Sequence, residues 1–169
     1  MKFTIETGKN NPILRKKSLR IETSEIKKFA SIGEEMIKLI KNPDTNGVGL
    51  AAPQIGISKR LICISLLKTY DDESFKTIFM INPEIIEYSE EIEIDNEGCL
   101  SVPKKFGDVA RAKNIKVNYL DGKGKESTLA LSGISSRIIQ HEIDHLEGIL
   151  FTDKIVEDEE ENILLKHTF

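Results

Sequence analysis

The chain has few residues that bind transition metals strongly, with only three histidines and two cysteines among its 169 residues. It lacks any run near the roughly 20 apolar residues needed to cross a bilayer, and its first residues lack the apolar core of a secretory signal. The net charge of −4 provides no basic excess for a polyanionic partner. We therefore expect a cytoplasmic protein with no membrane partner and no direct nucleic-acid binding.

The two cysteines, Cys63 and Cys99, are not expected to form a disulfide in a reducing compartment. Cys63 lies in an apolar, β-branched run and is expected to pack as a small core residue. Cys99 follows a glycine in a turn-like segment. Its thiol is suited either to simple burial or to metal binding.

No internal repeat, low-complexity tract or linker divides the sequence, and its length suits one domain. Apolar residues at three-and-four spacing predict a helix over residues 24–41, with Ser24 as its cap and a glycine-containing loop at 44–49 after it. Apolar and β-branched runs predict strands at 60–66 and 77–81 (ended by Asn82-Pro83), a weaker one within 84–94, and a hairpin of 116–120 with 127–131.

A second helix is predicted from a cap at Ser132 or Ser135 to about Glu147, before Gly148 in a left-handed turn. Ile134, Ile138, His141 and His145 share one face, and the helix is apolar enough to be buried. These patterns predict an α+β fold in which strands surround this central helix.

Within this helix the sequence reads His141-Glu142-Ile143-Asp144-His145, an H-E-x-x-H arrangement. The spacing places two imidazoles one turn apart, where they can share one divalent metal. The carboxylate of Glu142 is suited to accept a proton from water activated by that metal. We therefore expect a metal-dependent hydrolase.

A catalytic site of this kind needs a third protein ligand and one open position. Glu147 is too close along the helix to reach the same metal. Carboxylates at 157–161 are available in an acidic tail that has little to fix it. Cys99 is the better candidate, because a thiolate is a strong ligand for borderline metals.

Three segments resemble the signature motifs of the peptide deformylases. Residues 47–54 read G-V-G-L-A-A-P-Q, residues 97–101 read E-G-C-L-S, and residues 140–145 read Q-H-E-I-D-H. Residues 12–15, P-I-L-R, also resemble the start of the family, and the likeness covers about residues 12–155. Lys104-Lys105-Phe106 departs from the run that many members have there, which bears on the substrate rim and leaves the metal chemistry untouched.

The resemblance implies antiparallel sheets wrapped around the helix that carries the histidines. It implies an enzyme that removes the formyl group from the N-terminal formylmethionine of newly synthesised polypeptides and releases formate. By resemblance, Cys99, His141 and His145 hold the metal. Glu142 is the catalytic carboxylate, and Gln54 and the Leu100 N–H stabilise the reacting oxygen.

The substrate is expected to lie along Val48 and Gly49, where glycine lets another backbone approach closely. Ile134 and Ile138 are expected either to line the methionine pocket or simply to pack in the core. Glu97 and Arg111 are candidates to orient the metal ligands, although a surface salt bridge is the expected role of Arg111.

One divalent metal is expected, Fe²⁺ in the cell, with Zn²⁺, Ni²⁺ or Co²⁺ possible in purified protein. The nascent formylated polypeptide is the expected partner, met near the ribosome. Residues 1–155 are expected to form the catalytic domain, and 156–169 an acidic tail in which Ile163-Leu164-Leu165 could dock as a short helix. Two alternatives stay open at this point: a zinc endopeptidase with the same helix, and a non-enzymatic domain with a closed structural metal site.

Overall fold

A computed structural model describes residues 3–45, 47–72 and 75–156. The predicted acidic tail beyond Val156, with its Ile163-Leu164-Leu165 segment, lies outside these residues, so the boundary at residue 155 stays a prediction. No helix in the described ranges is long and apolar enough to cross a membrane.

The fold is α+β, as predicted, and the described residues form two antiparallel sheets and two α-helices. The larger sheet has the strand order β1-β2-β3-β6-β7, and the smaller sheet pairs β4 with β5. The elements are α1 (Ile26–Lys41), β1 (Gly49–Ala51), β2 (Leu61–Leu66), β3 (Lys76–Tyr88), β4 (Ile92–Cys99), β5 (Val102–Ala112), β6 (Asn114–Leu120), β7 (Glu126–Ser132) and α2 (Gly133–Leu146).

The larger sheet is covered on both faces because successive side chains of a strand point to opposite sides. On one face, Leu50 and Cys63 pack with the apolar side of α1. On the other face, Ile62 and Ile64 pack with α2 around Ile139. The core roles predicted for Cys63 and for the apolar face of α1 are therefore confirmed.

The prediction that a strand ends at Asn82-Pro83 is wrong, because β3 continues to Tyr88 through a register shift between Ile81 and Glu84. Asn82 adopts a φ of 51°, a left-handed conformation that asparagine tolerates better than most residues. Its buried side chain accepts a hydrogen bond from the Ile21 N–H (2.8 Å) and donates one to the Ile21 carbonyl (2.9 Å). The irregularity is thus stabilised from outside the strand.

Neither predicted serine cap forms as expected. Ser24 lies in a 3₁₀ turn before α1, where the Glu25 carboxylate accepts the Glu22 N–H. Ser132 occupies the cap position of α2 without a side-chain cap bond, while the Ser135 hydroxyl donates to the Leu67 carbonyl. The helices nevertheless begin within two residues of the predicted positions, because their apolar faces determine where they pack.

Gly148 ends the turn after α2 with a φ of 76°, as predicted. A Cβ atom there would lie 2.5 Å from the Arg15 carbonyl oxygen, so the amino-terminal segment packs directly on the glycine. The Ser18 N–H also donates to the Leu146 carbonyl at 2.8 Å. The end of the histidine-bearing helix is therefore held by close backbone contact.

Replacing Gly148 with alanine should destabilise the protein by about 2–4 kcal/mol, because the cost of a left-handed conformation and the cost of a backbone clash add. Gly133→Ala is the matched control, since Gly133 has a φ of 56° and open space where its Cβ would be. Gly133→Ala should lower the free energy of unfolding by about 1–2 kcal/mol, the cost of the left-handed conformation alone. Urea unfolding measures both, and equal losses would contradict the contact with Arg15.

Candidate active site

The end of β4 and the middle of α2 bring together the three residues predicted to bind a metal. One ligand atom each from Cys99, His141 and His145 lies within 4.8 Å of the others. The Cys99 Sγ is 3.2 Å from the His145 Nε2. The fold thus brings Cys99 to two histidines that lie 42 and 46 positions further along the sequence.

Backbone and side-chain amides surround the sulfur of Cys99. The chain turns at Leu100 and Ser101 between β4 and β5, and the Ser101 N–H lies 3.4 Å from the sulfur. The Gln54 side-chain nitrogen lies 3.6 Å from the same sulfur and 3.1 Å from the Ser101 hydroxyl. Its side-chain oxygen accepts the Ala51 N–H at 2.8 Å, which fixes the orientation of the amide.

A buried carboxylate orients His141. The Glu97 Oε2 lies 2.9 Å from the His141 Nδ1, which leaves the Nε2 directed to the cluster. Arg111 forms a two-point ion pair with Glu97, with both nitrogen–oxygen distances 2.9 Å. Arg111 is only 4% exposed, so the prediction of a surface salt bridge for it is wrong.

The network also includes Arg137, Asp144 and Lys154, for which the sequence patterns indicate no role. Arg137, one turn before His141 on α2, donates to Glu97 at 2.7 Å. Asp144 accepts from Arg111 and, at 2.8 Å, from Lys154. The sequence does contain one indication of this network. Arg137 lies on a helix predicted to be buried, and a buried charge is almost always paired.

Burial and hydrogen bonds shift the pKa values of the ionisable groups in the cluster in different directions. Burial alone would lower its pKa, but hydrogen bonds with Cys99 and Glu97 raise the pKa to about 10. Burial would also raise the pKa of Glu97, yet His141 and Arg111 hold it well below its ordinary value. The pKa of His145 is lowered by burial and by the neighbouring His141.

Glu142 is buried beside the cluster, and burial raises its pKa to about 7. Within the described part of the chain, its Oε2 has no hydrogen-bond partner. A Cβ atom at Gly49 would lie 2.4 Å from the Glu142 Oε1, so only glycine permits β1 to pass this carboxylate. Gly49 therefore accommodates a side chain of the protein itself, a reason that differs from the predicted approach of a substrate backbone.

A cavity of about 460 Å³ opens onto these groups. All the residues predicted to contact substrate line it, namely Val48, Gly49, Ile134 and Ile138, and so do Gln54, Leu100 and Glu142. Ile138 is also part of the core, whereas Val48 is 43% exposed at the mouth. The cavity thus joins an apolar wall to the polar cluster.

The donor set fits a divalent transition metal. A thiolate and two imidazoles suit Fe²⁺, Zn²⁺, Ni²⁺ or Co²⁺. Within the described ranges, no fourth histidine, cysteine or carboxylate joins the group that Cys99, His141 and His145 form. Three ligands beside a cavity and a buried carboxylate are typical of a metal-dependent hydrolase, whereas structural sites usually have four ligands.

Comparisons with known proteins agree with this class. The sequence matches the family described as polypeptide deformylase over residues 5–161, beyond both ends of the expected likeness. Peptide deformylases of Halothermothrix orenii and Pseudothermotoga lettingae are each 44% identical, over 90% and 86% of this chain and 94% and 78% of theirs.

Solved structures agree as well. The peptide deformylase of Thermotoga maritima has a TM-score of 0.81 at 36% identity, covering 92% of this chain and 99% of that one. A class I type b peptide deformylase of Acinetobacter baumannii with Met-Ala-Ser bound has a TM-score of 0.78 at 34% identity, with the same coverage.

The chain belongs to the peptide deformylase family. Its reaction is the hydrolysis that removes the formyl group from the N-terminal formylmethionine of newly synthesised polypeptides and releases formate. The endopeptidase and the non-enzymatic metal domain, which the sequence left open, are both set aside by this membership.

Replacing Arg111 with methionine should destabilise the protein by about 3–5 kcal/mol, because Glu97 and Asp144 would lose their shared buried partner. Lys116→Met removes an ion pair with Glu87 whose side chains are both largely exposed. That control should cost at most about 1 kcal/mol. Thermal and urea unfolding compare the two variants, and a similar small loss for both would rule out a structural role for the buried pair.

Proposed function

We propose that Cys99, His141 and His145 hold one divalent metal and that the residues around them perform the deformylation. The observation that carries this proposal is the convergence of three ligand atoms within 4.8 Å beside a buried carboxylate and a cavity. A metal held there would act as a Lewis acid that makes water nucleophilic near neutral pH. Glu97 would keep the His141 ring oriented toward the metal.

Glu142 is the proposed general base and acid. Its buried carboxylate has a pKa near 7, and one of its oxygens has no partner among the described residues, so it is suited to accept a proton from water and return it to the leaving amine. Gly49 supports this role, because its missing side chain leaves room for the carboxylate beside β1. The leaving amine nitrogen thus receives the proton that the attacking water gave to Glu142.

Gln54 and Leu100 are the proposed donors to the formyl oxygen as it gains negative charge. The Gln54 amide is held by Ala51 and Ser101 and lies beside the sulfur of Cys99. Leu100 follows Cys99 at the turn, and both residues line the cavity. Donors fixed before the reaction stabilise the transition state without a cost of reorganisation.

The proposed methionine pocket lies against Ile134 and Ile138, with the peptide backbone passing Val48 and Gly49. Support comes from the lining of the cavity and from the A. baumannii relative, whose structure holds Met-Ala-Ser. A mainly apolar wall with a few polar groups at one end is what a thioether side chain attached to a formamide requires.

Fe²⁺ is the proposed metal in the cell, and Zn²⁺, Ni²⁺ or Co²⁺ are alternatives in purified protein. We further propose that the enzyme acts in the cytoplasm on chains that emerge from the ribosome, without binding nucleic acid directly. The formylated N-terminus exists only on new chains, and the net charge of −4 gives no attraction for RNA.

The metal assignment predicts about one metal per chain for protein purified without oxygen, and formate release from a formyl-Met dipeptide. Cys99→Ala should lose most of the metal and the activity. Cys63→Ala is the matched control, because Cys63 is fully buried in the sheet and should affect stability only. Elemental analysis and a formate assay measure both, and full metal content in Cys99→Ala would refute the assignment.

The role of Glu142 predicts that Glu142→Gln lowers kcat by at least about 10²–10⁴-fold, because a general base is lost while the shape is kept. Metal content should stay near that of the parent protein, since this residue is not a proposed ligand. Gln140→Glu tests the neighbouring position, whose side chain bonds to Ala112 instead. Unchanged turnover in metal-loaded Glu142→Gln would exclude the assignment.

A further inference from the structure

The beginning of β5 projects a bulge beside the metal-binding cysteine. Cys99 pairs with Val102, and the preceding residue, Gly98, pairs with Phe106. One residue of advance along β4 therefore corresponds to four residues along β5. The extra residues are 103–105, and Lys104 takes a left-handed φ of 64°. Bulges next to active sites commonly redirect side chains, and this one directs a pair of lysines.

Both lysines of the bulge line the mouth of the active-site cavity and are exposed. Within the described residues, neither Lys104 nor Lys105 has an ion-pair or hydrogen-bond partner for its side chain. Phe106, which is 71% exposed, places its ring over Gly98 and also lines the cavity. The mouth thus has two ammonium groups beside an aromatic surface.

The other charged groups on the cavity wall are already engaged or buried. Arg137 is bonded to Glu97, and Glu142 lies at the deep end. Of the nearby acids outside the wall, Asp95 accepts the Tyr70 hydroxyl, and Asp108 accepts the Asn96 amide. Among the described residues, Lys104 and Lys105 are thus the cationic groups on the cavity wall without an acidic partner.

We propose that Lys104 and Lys105 make the enzyme prefer nascent chains with acidic residues soon after the formylmethionine. This inference rests on the proposed function of the cavity. An extended peptide rises about 3.3 Å per residue, so the second to fourth residues lie within about 10 Å of the methionine. A formylated chain carries no α-ammonium group, so side chains alone determine the charge that reaches the mouth.

The test compares kcat/KM for formyl-Met-Ala-Glu-Glu, formyl-Met-Ala-Gln-Gln and formyl-Met-Ala-Lys-Lys amides by formate release. Exposed ion pairs are individually weak, so the acidic peptide should exceed the basic one by about threefold to tenfold at low ionic strength. In about 1 M salt, where the Debye length is near 3 Å, the ratio should fall toward one. The difference should appear mainly in KM, because the lysines do not touch the reacting atoms.

The Lys104→Gln/Lys105→Gln double variant should bring the acidic-to-basic ratio close to one at low salt. Lys16→Gln/Lys41→Gln is the matched control, because it removes the same charge from exposed positions outside the cavity wall and should keep the parent ratio. A parent ratio near one with normal turnover of the Gln-Gln peptide would overturn this inference alone. An equal loss of the ratio in the control would replace it with an effect of net charge, and no turnover of any peptide would overturn the proposed function as well.

Discussion

The ion pair between Glu97 and Arg111 is the interaction on which the site depends. Glu97 belongs to β4 and Arg111 to β5, and both are almost fully buried. Glu97 also orients His141 on α2, so one carboxylate connects the small sheet to the helix that carries two of the proposed ligands. A buried charge is costly unless it is paired. Any movement of β4 relative to α2 would therefore expose unpaired charges, which keeps Cys99 close to the histidines.

Sequence patterns predicted the α+β class, the face of α1, the β6–β7 hairpin and the buried α2, because each depends on regular spacing within one element. The proximity of Cys99 to His141 and His145 was an expectation from chemistry and resemblance, and the geometry agrees with it. The ion-pair network was only partly foreseen. Whether Arg111 or Arg137 lies on the surface depends on which element covers it, and no spacing within a single segment carries that information.

The wrong strand boundary at Asn82 has a similar cause. Asn-Pro usually ends a strand, and the local sequence gives no reason to expect otherwise. Here the Asn82 amide bonds to both backbone groups of Ile21, a residue 61 positions away. Those two bonds satisfy groups that would otherwise be buried without partners. Long-range hydrogen bonds thus allow β3 to continue and to pair with β6 beyond the irregularity.

The charged groups around the proposed metal site are buried, whereas those at the mouth of the cavity are exposed. Glu97, Arg111 and Asp144 are buried in contacts that join β4, β5 and α2, so a change in any of them disturbs both stability and the site. Residues 103–105 project from β5 without adding to its pairing with β4. Their side chains can therefore vary without repacking the core. A bulge that begins next to Cys99, the proposed metal ligand, would let the proposed peptide preference change while the proposed catalytic geometry stays fixed.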